Sequence, residues 1–261
     1  MNRILLSIGP INIYYYSITM LIAVLVGLYL ATKESKKVGM SEYFEDLTVS
    51  AILLGIIGAR LYYVIFNFSS YKDNLLSIFK IWEGGLAIYG AIIGGLIAII
   101  YHAKKHNQSI IKTTDIVVPS LIIAQAIGRW GNFFNQEAHG GIVSLEYLES
   151  LHLPNFIING MNINGIYYEP TYLYESIWCI LGFILLLIIR KLTKRKKGLM
   201  TYTYFIWYGL GRIYIEGLRT DSLYLGNIRI SQLVSLILIL IGLIGIIKTI
   251  YQNKKQERRK K

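Results

Sequence analysis

Cysteine occurs once in these 261 residues, proline four times, and acidic side chains number 15 against 27 lysines and arginines. A single cysteine, Cys179, excludes an intrachain disulfide and any metal centre built from cysteines within one chain. Its setting in an apolar run makes it a small buried residue. With so few prolines, long stretches are free to stay helical. Charge is scarce as well: 16% of residues are charged and 54% hydrophobic, with a mean hydropathy of +0.48. Water-soluble domains carry about 25% charged residues, so the core of this protein faces lipid. The net charge of +12 does not point to nucleic acid. The basic residues gather in short loops and in the terminal run Lys254 to Lys261, as in the cytoplasmic loops of membrane proteins. The first sixteen residues hold one arginine and no cleavage site, so they read as retained.

What the sequence does have is seven long apolar runs: Ile11–Ala31, Leu47–Phe68, Gly84–Tyr101, Ile116–Phe134, Thr171–Ile189, Leu199–Ile215 and Ile230–Ile247. About 20 residues of helix cross the hydrocarbon layer, and an isolated strand there would leave backbone groups unpaired. The expected fold is an all-α integral membrane protein of about seven transmembrane helices, a single polytopic domain over residues 1–261. In the third run, Gly90 and Gly94 form a G-x-x-x-G pair that lets another helix approach closely.

Basic residues orient the chain. Nineteen lie in the loops after the first, third and fifth runs and in the C-terminal segment, among them Lys33, Lys104, Lys194 and Lys261, whereas the opposite side holds five: Arg3, Lys72, Lys80, Arg219 and Arg229. Cytoplasmic loops carry the excess. The N-terminus is therefore expected outside, and the C-terminus, with its basic tail 251–261, in the cytoplasm. The longest connection, 135–170, has no lysine or arginine and falls on the outside. It is long enough to form a small external cap between helices four and five.

The remaining three basic residues, Arg60, Arg129 and Arg212, lie within runs. A charge at mid-membrane costs about 2.5–3.5 kcal/mol on insertion scales, and such residues face a cavity or a partner. Each is the fourteenth residue of an outward-running span, roughly 20 Å from the inner boundary at 1.5 Å per residue. At the same level come the outer ends of the inward-running spans, with Tyr14, Tyr15 and Tyr16, then Tyr89, then Tyr172 and Glu175. Snorkelling to the headgroups would explain one such arginine. Three, beside Asn132 and Asn135, favour a shared cavity, and guanidiniums suit a phosphate bound bidentately.

The segment from Gly128 to Gly140, GRWGNFFNQEAHG, closes the fourth run. It resembles the signature G-R-x-G-N-F-x-N-x-E-x-x-G of the bacterial prolipoprotein diacylglyceryl transferases at every fixed position. Further stretches resemble that family: Ser7 to Pro10 with Tyr16; Gly58 to Tyr63; Trp82 to Gly90; Glu169 to Glu175; and Tyr208 to Arg212 with Glu216 and Arg219. Two departures stand out. Tyr89 occupies a position where many members carry His, and Ser17 replaces a common glycine.

The resemblance implies transfer of the sn-1,2-diacylglyceryl group from phosphatidylglycerol to the lipobox cysteine thiol of a prolipoprotein signal peptide. A thioether forms and glycerol 1-phosphate leaves, with no metal or organic cofactor. It implies a multi-pass protein of the bacterial cell membrane, surrounded by membrane lipids, read here as a monomer. On this resemblance the catalytic set is Arg129, Arg212, Tyr89 and Glu137. The phosphatidylglycerol contacts are Arg129, Asn132, Asn135, Gly140, Tyr16, Tyr208, Glu216 and Arg60. Arg129 and Arg212 would neutralise the phosphate as the C–O bond breaks, and their field would favour the substrate thiolate. Asn132 and Asn135 would orient the headgroup or the motif loop. Glu137 and Glu216 would position arginines or accept a proton. Tyr16 and Tyr89 would line the site; a phenol with a pKa near 10 is a poor base, so the base stays open. Arg60 has the weakest catalytic claim. His139 reads as a loop residue, His152 has no visible partner, and His102 and His106 are expected solvated on the inner side. A transporter or flippase is the rival reading, but it predicts polar groups spread through the membrane or an internal repeat. A scaffold would leave the three arginines without a purpose.

Overall fold

The computed structural model describes residues 3–260 apart from Pro10, Lys194, Asp221, Leu223 and Asn227. Pro10 of the N-terminal motif, Lys194 of the fifth loop and Lys261 of the tail therefore lie outside the described residues. The chain is mostly helical and separates into two compact units, Met1–Ala31 with Asp115–Lys261, and Thr32–Thr114.

The first unit begins with a hairpin of β1 (Ile4–Ile8) and β2 (Ile11–Tyr14), turned at Gly9 with φ +57°. Ser7 pairs with Asn12 across it, the hydroxyl donating to Oδ1 at 2.7 Å. The first apolar run is thus strand, not helix, until Tyr14. Its alternating Ile-Asn-Ile pattern suits a strand paired with the apolar one before it. Helix α1 then runs Tyr15–Lys37. In the second unit, α2 (Ser41–Phe66) is followed by three short 3-10 turns between Phe68 and Glu83, and then by α3 (Ile88–Lys105). Here α3 starts four residues later than its hydropathy suggests, because Gly84 and Gly85 take φ values of +91° and +73° that cannot belong to a right-handed helix.

Helix α4 (Ile110–Asn135) ends where Gln136 enters the left-handed region at φ +53°. Segment 135–170 folds into α5 (Leu145–Ser150), α6 (Asn155–Gly160) and a hairpin of β3 (Asn162–Ile163) and β4 (Ile166–Tyr167). Asn164-Gly165, with φ +54° and +87°, is the dipeptide that a tight two-residue hairpin demands. This segment packs Leu148, Ile157, Ile158 and Met161 against Phe133, Tyr172 and Leu173. Helices α7 (Thr171–Leu192) and α8 (Leu199–Leu218), the hairpin of β5 (Tyr224–Leu225) and β6 (Ile228–Arg229), and α9 (Ile230–Lys260) complete the chain.

All seven apolar runs are therefore largely helical. Five helices, α1, α2, α4, α7 and α9, are long and apolar enough to cross a membrane. Only 11% of the apolar window of α1 and 17% of that of α9 is buried in the protein. Apolar surface on that scale would not be left facing water, in keeping with an all-α integral membrane protein. Helices α3 and α8 fall short of the same measure. The former ends in His102, Lys104 and Lys105, and the latter carries Arg212 and Glu216.

Several polar groups inside the first unit are satisfied by partners within the protein, as hydrocarbon requires. Trp178 and Trp207 stack at 4.3 Å, and each indole N–H donates to the other's backbone carbonyl at 2.9 Å. Gly182 and Gly211 make this possible, since a Cβ at either would meet the facing indole. Asp115 on α4 holds the start of α8: its carboxylate accepts from the amides of Gly198 and Thr201 and from the Thr201 hydroxyl. That supplies acceptors to helix amides that have no partner within the helix.

In the second unit, α2 and α3 meet backbone to backbone. A Cβ on Gly90 would strike the Gly58 carbonyl, and one on Gly94 the Leu54 carbonyl, while at Gly95 nothing lies within 4 Å. The G-x-x-x-G pair is thus a close-approach surface for α2. Gly94→Ala is expected to destabilise by about 1–3 kcal/mol through overpacking, whereas Gly95→Ala is neutral or gains up to about 1 kcal/mol in helix propensity. Thermal unfolding of both variants in one detergent checks this. Equal melting temperatures would contradict the packing.

Candidate functional site

The first unit gathers the motif residues at the junction of α4, α7 and α8. Two anchors set α7 against α4 and the motif loop that follows it. The Ser176 hydroxyl donates to the Ala126 carbonyl at 2.9 Å, and that of Thr171 donates to the Ala138 carbonyl at 2.7 Å. The motif's end is pinned to the same stretch, with Gly140 N–H donating to Glu169 O and Glu169 N–H to Gly141 O, both at 2.9 Å. Gly140 has no room for a side chain, because a Cβ would stand 2.9 Å from that of Glu169. This docking carries Glu175, one turn into α7, to the arginine of α4.

Glu175 is the centre of the arrangement. Its Oε1 lies 2.6 Å from Arg129 Nη2 and its Oε2 3.3 Å from Arg212 Nη1. Arg212 Nη2 in turn meets Glu216 Oε2 at 2.6 Å, one turn along α8. Side-chain exposure falls from 22% for Arg129 through 14% for Arg212 to 7% for Glu175 and 4% for Glu216. Two cations and two anions thus form one chain with no net charge, and its open end is Arg129. A second cluster adjoins it: Asn132 and Asn135 both donate to Glu137 Oε1, at 3.0 and 3.4 Å, and Arg129 Nη1 reaches Asn132 Oδ1 at 3.5 Å. Tyr16 lies flat on the motif helix over Gly131, where a Cβ would come within 2.8 Å of its ring. Tyr208 stacks on Tyr204 at 5.7 Å, one turn before Arg212 on α8.

The C-terminal end of α8 is closed by Arg229, which donates to the Glu216 carbonyl, to Arg219 O at 3.4 Å and to Tyr224 Oη at 2.9 Å. A guanidinium here satisfies orphan carbonyls and complements the helix dipole. An apolar cleft of about 150 Å³ runs along the same stretch of α4, lined by Thr19, Ile123, Ala126, Ile127, Trp130 and Ser176. The ion-pair chain and an apolar slot thus share α4.

Arg60 and Tyr89 belong to the other unit. Every N–H of the Arg60 guanidinium has a backbone carbonyl: Nε donates to Ile78, Nη1 to Gly84 and Gly85, and Nη2 to Ser77 and Lys80, at 2.7–3.4 Å. It is 6% exposed and holds the 3-10 segment to α2. Tyr89, 42% exposed, opens α3 with its ring 6.0 Å from that of Tyr62. His139 packs on Tyr168 at 4.0 Å and its Nδ1 lies 3.0 Å from Gly140 O. His152 sits in the loop after α5. His102 is 4% exposed, so the expectation of a solvated side chain does not hold for it. It is turned into the interface with α2, where Ser50 meets it.

Glu175 was visible in sequence only as one more polar group near the outer level. The signal that could have singled it out is electrostatic: two neighbouring intramembrane arginines need a counter-charge, and Glu175 is the acid in the fifth run. Glu175→Gln would leave Arg129 and Arg212 facing each other, partly buried. The expected loss is near the lower end of about 3–5 kcal/mol, the range for removing one partner of a buried pair, because Arg129 retains solvent contact. Glu137→Gln, at the more exposed cluster, should cost less than half as much. Thermal unfolding in a fixed detergent distinguishes them, and an unchanged melting temperature for Glu175→Gln would contradict the bridge.

Comparison with known proteins extends the match far beyond the motif. Residues 3–248 match the prolipoprotein diacylglyceryl transferase family. A phosphatidylglycerol–prolipoprotein diacylglyceryl transferase from Listeria monocytogenes serotype 4b is 52% identical over 256 residues, 98% of this chain and 91% of its own length. One from Bacillus cereus strain G9842, of the same name, is 49% identical over 248 residues, 95% of this chain and 92% of its own. Likeness of that depth, running through the helices that hold Arg129, Glu175 and Arg212 alike, means that the chain belongs to the prolipoprotein diacylglyceryl transferase family.

Proposed function

We propose that the protein transfers the sn-1,2-diacylglyceryl group of phosphatidylglycerol to the lipobox cysteine of a prolipoprotein, the first step of bacterial lipoprotein maturation. The observation that carries this reading is the single carboxylate, Glu175, shared by Arg129 and Arg212. It holds two guanidiniums within reach of one anion, and the apolar cleft along α4 suits the acyl part of a lipid.

In the reaction, the substrate cysteine sulfur attacks the saturated diacylglyceryl carbon and the C–O bond to phosphate breaks. Glycerol 1-phosphate takes the bonding electrons, and the thiol proton passes to a base. Arg129 and Arg212 stabilise the charge gathering on the departing phosphate. Fixed donors in a water-poor site do this at no reorganisation cost when the bond breaks. Arg129, at the open end of the ion-pair chain, meets the phosphate first. Arg212, held between Glu175 and Glu216, supplies the deeper charge. Asn132 and Asn135, tied to Glu137, keep the motif loop in place, with Gly140 packed beneath it. Tyr16 and Tyr208 line the lipid side. Tyr89, at the start of α3, keeps the role that the sequence resemblance implies for it. Arg60, saturated by carbonyls, acts as a structural clamp. The transfer itself uses no metal or organic cofactor.

The same reading gives seven spans, with α3 and α8 crossing beside the five apolar helices, the N-terminus outside and the C-terminus in the cytoplasm of a bacterial cell membrane. Segment 135–170 caps the outer face, and one chain suffices as a monomer over its single polytopic domain.

The test is thioether formation in membranes between phosphatidylglycerol and a lipobox peptide. Arg129→Ala and Arg212→Ala should each lose about 100-fold or more in rate, the scale for removing one charge-stabilising donor, while remaining in the membrane at normal levels. Near-normal transfer by both variants would remove the phosphate-binding role. Lipid movement without thioether would favour a transporter.

A further inference from the structure

Helices α2 and α3 bring together a set of side chains that the transfer reaction does not use. His102 and His106 stand four residues apart on α3 and so share a face. Asp46 and Ser50 have the same spacing on α2. One ring nitrogen of each histidine and a carboxylate oxygen of Asp46 lie within 4.8 Å of one another. The two imidazoles stack at 5.8 Å with 12° between their planes, and His106 Nε2 is 3.8 Å from Asp46 Oδ2. The edge of the Tyr43 ring closes on His106 at 5.6 Å.

The hydrogen bonding of the pair is incomplete. His102 is 4% exposed. Its Nε2 is engaged with Ser50 Oγ at 2.7 Å, but its Nδ1 is buried with no hydrogen-bond partner among the described residues, and so is His106 Nε2. Buried polar nitrogens are nearly always partnered, because an unmade bond costs the whole desolvation of the group. In the tautomer that donates Nε2–H to Ser50 Oγ, Nδ1 of His102 carries a bare lone pair. A second partner that fixes the tautomer of a histidine is the usual companion of metal ligation.

We infer that Asp46, His102 and His106 form a binding site for one divalent transition-metal ion of the zinc class, completed by water. Imidazole and carboxylate donors suit zinc, and two histidines at i and i+4 on a helix present nitrogens to one ion. At ligand distances of about 2.0–2.2 Å, the donor atoms must draw to roughly 3.2–3.6 Å apart. The exposed Asp46, 58% accessible at its side chain, can move to close that gap and leaves room for water. Such an ion clips α2 to α3 near Lys104 and Lys105, at the other end of α3 from the Gly58–Gly90 contact.

The experiment uses the full-length protein in detergent, purified without a histidine tag, stripped with EDTA and dialysed. Zn²⁺ is then titrated against a chromophoric chelator, and Co²⁺ is followed by its visible absorption. One ion per chain is expected, with a micromolar or tighter Kd. His106→Gln and Asp46→Asn should each weaken binding at least tenfold, and His139→Gln and His152→Gln should leave it unchanged. These variants replace partly exposed side chains, and size-exclusion chromatography verifies that each is folded. No stoichiometric binding by the unaltered protein, or equal affinity in His106→Gln and Asp46→Asn, would overturn the assignment.

Discussion

Glu175 stands between two guanidiniums that could not otherwise share a membrane interior. Two unit charges of like sign about 4 Å apart repel by roughly 4 kcal/mol at an effective dielectric of 20. A carboxylate between them turns that repulsion into two attractions. Glu216 completes the compensation, so the four groups are neutral together and the assembly can form before any lipid arrives. On the proposed reading, an incoming phosphate would meet not bare cations but donors already oriented by an anion it can partly replace, with Arg129, the more exposed of the two, first.

Much of the first unit serves that placement. Ser176 docks α7 on α4, and Thr171 docks it on the motif loop, on either side of Glu175. The Trp178–Trp207 pair locks α7 to α8 with no unpaired indole N–H, Asp115 fixes the start of α8, and Arg229 closes its end. The contacts within the apolar helices sit in an environment that offers no water, so each is both a support and a condition for the helix to sit there. The glycines follow the same logic. Gly182 and Gly211 admit indoles, Gly131 admits Tyr16, and Gly140 lets the motif loop lie on the strand that leads into α7.

The helices were legible because hydropathy over about 20 residues reports a physical length, the thickness of the bilayer. Arg129 and Arg212 were legible as a pair because counting makes each the fourteenth residue of its apolar run. The motif brought Asn132, Asn135 and Glu137 together, but not the donation of both amides to the Glu137 carboxylate. What could not be read was decided by contacts between distant segments. Nothing local says that Glu175 reaches both arginines, or that Arg60 spends all five N–H groups on backbone carbonyls of a 3-10 segment. Hydropathy also cannot separate β2 from the helix after it, since Ile-Asn-Ile is apolar enough for either. The burial of His102 depends on the meeting of α2 and α3, which Gly90 and Gly94 announced without saying which polar residues the contact would enclose. The Asn164-Gly165 turn was in plain view and went unread inside a long loop.

The most direct test of the account is a double-mutant cycle on the phosphatidylglycerol affinity of the purified protein, with Arg129→Gln, Arg212→Gln and both together. If Glu175 makes one anion site of the two arginines, either single change should lose most of the affinity that the double change loses. The coupling energy should then exceed about 1 kcal/mol, the level at which contacting groups depart from additivity. Losses that simply add would mean two independent charges, and the shared-carboxylate site would be wrong.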